Sequence, residues 1–350
     1  MSRAAPSPTL CLRPRRSRGL VLVLVLGAMA LLTILAFEVS GRANRDVLRA
    51  ASTERESRFR GVFQSGLALA TGILAERRSS KEIDAWSDRW QIPVSVKLDD
   101  EASVSVRVAD ESGKLRLPAP DAKPEQTGRV RKQLVRLFER LAKDDPEHAE
   151  DWRRARKQLF LRLGWNESKA PGASVAKPDP LPTLDGLREA GFTLNEVFGA
   201  WPADRLAPTR SLSDYLTVFG DGKLNLNTAS EEVLYTLDEE LDAAQARLIA
   251  AHRGADDAEP EDLRPFRQVK DLELVEGMVV RGEVEGRPVV LRNLCAKLTP
   301  YLSVQSRCFS VRIRAVVAGR IREAWAFFEA PPVSETSSAP RLLAFEELEP

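Results

Sequence analysis

The sequence predicts an α+β protein in which a long N-terminal helix, partly embedded in a membrane, packs on a small antiparallel β-sheet interrupted by a large helical insertion. Three observations predict this fold: an uncharged apolar run near the N-terminus, period-two alternation of apolar residues near residue 100 and again after residue 300, and helical periodicity between these regions. The length of 350 residues, with 43% hydrophobic and 29% charged residues, is typical of folded proteins and excludes wholesale disorder.

The charge balance and the metal-ligand types argue against several classes of function. The 52 basic and 51 acidic residues nearly cancel, so the whole chain has no electrostatic signature of a nucleic-acid binder. Residues 1–19 contain arginines and no acid, which leaves the rest mildly acidic. Three cysteines and two histidines are too few for a zinc module, and His148 and His252 lie in charged, helix-like stretches. We therefore expect no catalytic histidine.

The apolar run at residues 20–37 predicts a membrane anchor. It contains no charged side chain, and at about 1.5 Å per residue it nearly crosses a hydrocarbon core of about 30 Å. The arginines of residues 1–19 precede it, so the positive-inside rule places the N-terminus in the cytoplasm and the bulk of the chain outside.

Three fates of this apolar run are open. Ala28 and Ala30 fit a small-x-small signal-peptidase site, and a plain single-pass anchor needs no further feature. The third interpretation starts from Gly19, which lies at the junction of the basic leader and the apolar run, as in type IV prepilins. We favour it because no polar loop separates the run from the helical pattern that follows.

The stretch after the apolar run predicts an amphipathic helix continuous with it. Residues 42–78 contain no proline, and the combined helix would be about 85 Å long. Its apolar residues recur at helical spacings: Phe59, Val62, Phe63, Ala70, Ile73 and Leu74.

Alternating apolar residues predict two groups of strands. Residues 94–98 and 104–108 read as a hairpin, and strand character returns at residues 302–315 and 321–328. The predicted organisation is a leader at 1–19, a transmembrane half-helix at 20–39, the outer helix and first strands at 40–118, a helical insertion at 119–300 in two parts (119–218 and 219–300), returning strands at 301–330 and a C-terminal tail at 331–350.

The insertion begins and resumes at similar sequences. Residues 221–230 echo residues 112–117, and either Thr228 or Ser230 is suited to cap the helix that follows. The proline-rich residues 171–182 read as a loop between helices.

These features together resemble the K-type minor pseudopilin of the bacterial type II secretion system. The resemblance rests on Gly19 and Leu20, the split sheet, residues 214–218, residues 222–230 and residues 303–306, with residues 225–230 as the most specific part. It implies a non-enzymatic subunit at the tip of a short periplasmic filament, which starts filament assembly and supports protein export across the outer membrane.

The resemblance also implies partners and processing. The partners would be the I-type and J-type minor pseudopilins, the prepilin peptidase and the inner-membrane secretion platform. The peptidase would remove the leader after Gly19, and the new N-terminus at Leu20 would be methylated. The fifth mature residue is then Leu24, where major pilins have a glutamate that a neighbouring subunit neutralises inside the membrane. This is consistent with a tip subunit, and equally with one more leucine in an apolar run.

The leading alternative is a membrane-anchored DNA-binding or DNA-uptake protein. Residues 225–230 followed by two helical hairpins also resemble helix-hairpin-helix and SAM-like domains, in which glycine-rich turns bring backbone N–H groups to a phosphate. Here the first turn, at residues 238–242, has four carboxylates and no glycine, and the second keeps only Gly277. We expect the helical fold without the phosphate site, and no nucleic-acid partner.

Two further sites are predicted, and no enzymatic site or other cofactor. The acidic loop at 256–262 offers hard oxygen ligands for calcium, although it lacks EF-hand spacing; a solvated charge run is the other interpretation. Its candidate ligands are Asp256, Asp257, Glu259, Glu261 and Asp262.

The second predicted site is a disulfide. Cys11 would be lost with the leader, which leaves Cys295 and Cys308 to form a disulfide in the oxidising periplasm, or to remain two buried thiols.

Overall fold

The computed structural model of the protein describes residues 18–77, 83–85, 88–119, 121–165, 181–199, 211–254, 264–284, 287–330 and 339–348. The chain divides into two compact units, Met1–Arg58 and Phe59–Pro350. The predicted long helix is confirmed: helix α1 runs unbroken over Arg18–Arg77.

In the first unit, α1 exposes its apolar side chains. Leu24, for example, is 67% exposed. From Val21 onward the helix is long and apolar enough to cross a membrane. These properties fit the single membrane anchor predicted from the sequence.

The described strands and the remaining helices fall in chain order. The strands are β1 (Val94–Lys97), β2 (Ala102–Asp110), β3 (Leu115–Arg116), β4 (Leu216–Thr217), β5 (Leu224–Asn225), β6 (Val279–Val284), β7 (Arg287–Asn293), β8 (Leu302–Ser303), β9 (Cys308–Val317), β10 (Arg320–Glu329) and β11 (Arg341–Leu348). The helices are α2 (Pro124–Asp144), α3 (Ala149–Arg162), α4 (Leu194–Phe198), α5 (Leu212–Tyr215), α6 (Glu231–Tyr235), α7 (Ala243–His252) and α8 (Leu294–Leu298), with 3₁₀ turns at Arg89–Gln91, Pro146–His148, Leu184–Ala190, Val269–Leu274 and Thr299–Tyr301.

The main sheet of the second unit is antiparallel, in the order β1-β2-β9-β10-β11. The chain leaves it at the end of β2 and returns at the start of β9, where Asp110 and Phe309 are direct cross-strand partners. The predicted α+β fold with a split sheet is therefore confirmed.

One face of the sheet is covered by α1. The valines of β2 point alternately into this core because side chains on a strand alternate between its two faces. Gly66 lies where α1 comes closest: a Cβ atom there would be 2.6 Å from Ile313 Cγ2 and 3.1 Å from Val104 Cγ2. The side chains of this core include Phe59, Val62, Phe63, Ala70, Leu74, Val104, Val106, Val108, Phe309, Val311, Ile313 and Ala326.

The opposite face of the sheet packs against the insertion. The ring of Phe198, at the end of α4, lies 4.9 Å from that of Trp325, and Phe219 stacks on Phe327 at 4.4 Å. Arg312 also donates hydrogen bonds across this contact, to the carbonyl oxygens of Phe198 and Gly199. The sheet is therefore enclosed between α1 and the insertion.

The insertion shares one continuous hydrophobic core. Two short parallel pairs, β3 with β4 and β5 with β8, join its two parts to the chain that enters and leaves it. Ser230 caps α6 by accepting a hydrogen bond from the Val233 N–H, so of the two predicted capping residues it is the one that does so.

Three details differ from the predicted organisation. Residues 219–300, predicted to be helical, contain the antiparallel hairpin β6–β7, because residues 279–284 and 287–293 are rich in valine, which favours strands. Leu302 and Ser303 pair with β5 and not with the main sheet. The predicted tail at 331–350 contains β11, which pairs with β10 and buries Leu348.

Candidate functional site

The most specific sequence feature, residues 225–230, lies buried where the insertion meets the sheet. The Asn225 amide Nδ2 is 2.7 Å from Ser306 Oγ, 3.2 Å from the Asp84 carbonyl oxygen and 3.3 Å from Asp110 Oδ2. Its Oδ1 accepts a hydrogen bond from the Asn227 N–H at 2.9 Å. One asparagine thus connects three separate segments of the chain.

Asn227 binds a different segment. Its side-chain oxygen accepts from the Phe266 N–H at 2.8 Å, and its Nδ2 donates to the Phe266 carbonyl oxygen at 2.9 Å. This pair of bonds reproduces the pairing that a neighbouring strand would make. Arg253 reinforces the motif from the end of α7, since its guanidinium donates to the carbonyl oxygens of Leu226 and Ala229.

Around Asn225 lies a cluster that we call the polar junction. Arg77 forms a two-pronged ion pair with the Asp84 carboxylate, and both side chains are almost fully buried. Ser306 donates its N–H to Asp84 at 2.7 Å and accepts from Arg77 on its carbonyl oxygen at 2.8 Å. The members of the polar junction are Arg77, Asp84, Asp110, Asn225, Thr228 and Ser306.

Asp110 is the member of the polar junction whose pKa is raised by its surroundings. Complete burial raises its pKa to about 6, and hydrogen bonds from Ser306 and Thr228 limit the rise while the nearby Asp84 adds to it. Its other carboxylate oxygen accepts the Ser112 N–H at 2.7 Å. At neutral pH the group is therefore ionised inside the protein, held by four donors including Asn225.

The hydrogen bonds of the polar junction hold several elements of the fold together. It ties the C-terminal end of α1, the end of β2, the insertion at β5 and the approach to β9 into one hydrogen-bonded unit. The Asp110 and Ser306 side chains contact each other, and both residues are buried. The two histidines lie elsewhere: His148 contacts Asp145, which raises its pKa, and His252 stacks on Phe266.

The turn expected to bind phosphate in the alternative interpretation is closed by the protein itself. Arg136 of α2 donates to the carbonyl oxygens of Tyr235 and Leu241, each at 2.8 Å. Lys297 of α8 lies 2.9 Å from both Asp238 and Glu240. Burial alone would raise the pKa of Asp238, but hydrogen bonds from the Glu240 N–H and Lys297 lower it. The turn therefore presents satisfied carboxylates where a phosphate site needs free N–H groups.

The second expected phosphate turn also departs from a helical hairpin. Gly277 has a positive φ of 79°, as a glycine turn requires, but the chain continues into β6 and not into a helix. Arg292 of β7 donates to the Gly277 carbonyl oxygen at 2.9 Å.

The predicted processing residues lie at the start of α1. Gly19 and Leu20 belong to its first turn, and Leu24 follows one turn later in the apolar segment. They belong to the first unit, whereas the polar junction belongs to the second, so the chain has two separate regions of interest.

The two cysteines of the predicted disulfide are not bonded to each other in the structure. Cys295 and Cys308 are both free and buried, because Cys295 belongs to α8 in the insertion core while Cys308 opens β9 opposite Glu329. Burial raises the pKa of the Cys308 thiol to about 12 and also raises that of Cys295, so both are unreactive at neutral pH. The five candidate calcium ligands at 256–262 lie outside the described residues, and the described ranges contain no cluster of three or more potential metal-ligating side chains.

Most of the polar junction has no signal in the sequence. Sequence patterns singled out residues 225–230 and 303–306. They did not predict that these residues contact Arg77, Asp84 or Asp110. These three residues are ordinary charged side chains in sequence, and only the return of β9 beside β2 brings them together.

The long helix α1, whose C-terminal part packs on one face of an antiparallel sheet, and the helical domain on the other face of that sheet fit an α+β pseudopilin fold. Residues 224–281, which begin at the buried asparagine motif, match the family model described as type II secretion system (T2SS), protein K.

The fold is similar to a chain in the crystal structure of the GspK-GspI-GspJ complex from the enterotoxigenic Escherichia coli type 2 secretion system. The match has a TM-score of 0.56 and 16% sequence identity, and it covers 86% of this chain and 100% of that one. Comparison with curated proteins gives no match. The family model thus confirms the resemblance to K-type minor pseudopilins over residues 224–281, and the structural match confirms the fold.

Proposed function

We propose that this protein is the tip subunit of a type II secretion pseudopilus, with a structural and not an enzymatic role. In this proposal α1 anchors the chain in the inner membrane, the N-terminus is cytoplasmic and the second unit is periplasmic. The protein starts filament assembly together with I-type and J-type minor pseudopilins and supports export across the outer membrane. The prepilin peptidase and the inner-membrane secretion platform act on it before assembly.

The observation that carries the proposal is where the insertion is attached. It leaves the sheet at the end of β2 and is fixed by the polar junction at the C-terminal end of α1. Pilin-type subunits stack by packing their N-terminal helices lengthwise, so bulk at this end lies in the path of a subunit stacked above. The apolar Leu24, in place of a membrane carboxylate, supports the same position.

Processing provides the first test. The mature protein should begin at Leu20, because the peptidase needs a small, flexible residue at the membrane boundary. Gly19→Val should block cleavage, whereas Gly27→Val in the same apolar run, where a Cβ meets no atom within 4 Å, should not. N-terminal sequencing of membrane-extracted protein that starts at Leu31, or at the initiator, would contradict the proposal.

Position in the filament provides the second test. Deletion should impair filament initiation and secretion, and overexpression should shorten filaments. Immunogold labelling is expected at one end of each filament. Labelling along the whole shaft, or filaments built from this protein alone, would refute the placement at the tip.

A further inference from the structure

The helical pair α2 and α3 concentrates positive charge within the second unit. Residues 129–143 and 153–162 together contain eleven basic residues and one acid, Glu139. The whole chain, by contrast, has a net charge of +1. The connection between the two helices is acidic, with five carboxylates and no lysine or arginine at residues 144–151. The positive charge is therefore confined to the bodies of the two helices.

Part of this charge holds the helical pair on the rest of the insertion. Arg154 of α3 lies 2.5 Å from Glu196 of α4, and Arg140 of α2 lies 3.1 Å from Glu231 of α6. These pairs neutralise cations on the sides of the two helices that contact other elements.

Other cations surround a cavity of about 320 Å³ between α2 and α3. The floor of the cavity is apolar, since Phe138 is buried and Ala142 is half-buried. We call it the α2–α3 cavity, and its lining consists of Phe138, Glu139, Ala142, Lys143, Arg153 and Arg156. Three cations and a single acid thus surround an apolar floor.

Two of these cations can accept a new carboxylate at little cost. Lys143 is exposed and makes no ion pair within the part of the chain that the structure describes. Arg153 pairs with Glu150 of its own helix, and the two side chains are 61% and 86% exposed. Exposed pairs of this kind contribute little to stability, so an incoming carboxylate can replace Glu150 beside Arg153.

A neighbouring cavity, of about 460 Å³, lacks this excess of positive charge. It shares Glu139 and Lys143 with the α2–α3 cavity, but Glu239 and Asp242 also line it. Three cations and three acids line this neighbour, so their charges balance. One of its cations, Arg136, already donates to two carbonyl oxygens of the insertion. The α2–α3 cavity is therefore the better site for an anionic group.

We propose that the α2–α3 cavity binds an acidic peptide segment of a partner protein. One apolar side chain of that segment enters the cavity and packs on Phe138, while carboxylates on either side of it bind Lys143 and Arg153. The volume lies at the lower end of the range for ligand sites, about 300–1,000 Å³, and suits one side chain with its neighbours. The proposal does not depend on the position of the protein in a filament.

A nucleic acid fits this site less well than an acidic peptide. Phosphates that follow the two helices would meet the acidic connection at residues 144–151. They would also meet the Glu139 carboxylate, which lies 3.8 Å from Arg156 at the wall of the cavity. The floor formed by Phe138 and Ala142 has no side-chain donor for a phosphate. A short segment with an apolar side chain uses both the floor and the nearest cations.

The experiment measures peptide binding to the full chain in detergent by fluorescence anisotropy. The probe is a labelled synthetic peptide of glutamates with one central leucine, and a second peptide has glycine in place of the leucine. We expect the leucine peptide to bind about 5-fold more tightly or better, because its apolar side chain leaves water for the floor of the cavity.

Two substitutions on α2 separate the site from general charge attraction. Lys143→Glu should weaken binding of the leucine peptide by about 10-fold or more, because it reverses a charge at the cavity. Lys132→Glu is the matched control and should weaken binding less than about 3-fold, since Lys132 is 71% exposed on the same helix and outside the cavity lining. Ala142→Phe fills the cavity without a change of charge and should remove the preference for leucine over glycine.

Several results would overturn the assignment of the α2–α3 cavity. They are no binding of either peptide, equal binding of the two peptides to the unaltered protein, and equal weakening by Lys143→Glu and Lys132→Glu. Tighter binding of a single-stranded oligonucleotide, or of vesicles that contain phosphatidylglycerol, than of the leucine peptide would also refute it.

Discussion

Gly66 offers a sharp test of how closely α1 packs on the sheet. An alanine at this position would place its Cβ 2.6 Å from Ile313 Cγ2 and 3.1 Å from Val104 Cγ2, where ordinary contacts are longer than 3.4 Å. Both neighbours are fully buried in the core beneath α1, so neither can move into solvent. The helix must move away from the sheet, or Ile313 must leave its position.

The magnitude follows from two opposing terms. Overpacking of a core costs about 1–3 kcal/mol, and replacing a mid-helix glycine by alanine gains about 1 kcal/mol. Gly72→Ala is the matched control, because it has the same helix term and no atom within 4 Å of the new Cβ. The difference between the two variants therefore isolates the steric cost, and we expect Gly66→Ala to be about 1–3 kcal/mol less stable than Gly72→Ala.

The assay is urea unfolding of the full chain in detergent, followed by the fluorescence of the buried tryptophans. The unaltered protein, Gly66→Ala and Gly72→Ala are compared under identical conditions, and the free energy of unfolding is extrapolated to water. If both variants are stabilised equally, the close packing of α1 on the sheet at Gly66 is contradicted.

Three further predictions concern the polar junction. Arg77→Met should lower the free energy of unfolding by about 3–5 kcal/mol, because it leaves the buried Asp84 carboxylate without its ion pair. In urea unfolding, the double variant with Asp84→Leu should regain part of the lost stability. If the losses of the two substitutions simply add, the pairing of Arg77 with Asp84 is contradicted. Because burial raises the pKa of Asp110 from 3.8 to about 6, the folded protein binds the carboxyl proton more tightly than the unfolded chain does. The stabilisation by this proton is fully present below pH 3.8 and is lost as the pH rises through 6, a change of about 3 kcal/mol. Asp110→Asn should remove this change from the pH profile of stability, and an unchanged profile would contradict the prediction. Gly113→Ala should destabilise by about 1–3 kcal/mol, since its Cβ would lie 2.9 Å from the Thr228 backbone, whereas Gly128→Ala in α2 meets no atom and should be neutral or stabilising in thermal unfolding.

Local sequence patterns predicted the elements whose apolar residues have a regular period. The uncharged run and the helical spacing of Phe59 to Leu74 predicted α1 as one helix, and the alternation at residues 104–108 predicted β2. The β11 strand was missed because it follows a proline- and serine-rich segment and mixes two glutamates with its apolar residues. The disulfide between Cys295 and Cys308 stays a prediction, because spacing along the chain says nothing about which elements bury the two thiols.

Local sequence patterns could not predict the polar junction, for a different reason. Asn225 was selected because the surrounding residues resemble a family motif, and burial of its amide in the structure gives that motif a physical role. Its partners Arg77, Asp84 and Asp110 come from distant parts of the chain, and no periodicity marks a charged residue that will be buried. Such contacts follow from the tertiary arrangement alone.

The pairing of β2 with β9 joins strands that are far apart in the sequence, and this bears on how the chain folds. Asp110 and Phe309 are cross-strand neighbours separated by about 200 residues, and contacts so distant in sequence carry a large loop-closure entropy and form slowly. During synthesis α1 and the β1–β2 hairpin emerge first, while the strands that complete their core are still missing. If the insertion folds early, it brings the ends of β2 and β9 together and shortens the effective loop to a few residues. The insertion would then hold the ends of β2 and β9 together while the sheet forms. Variants that destabilise the insertion should therefore slow formation of the sheet more than they lower the stability of the folded sheet.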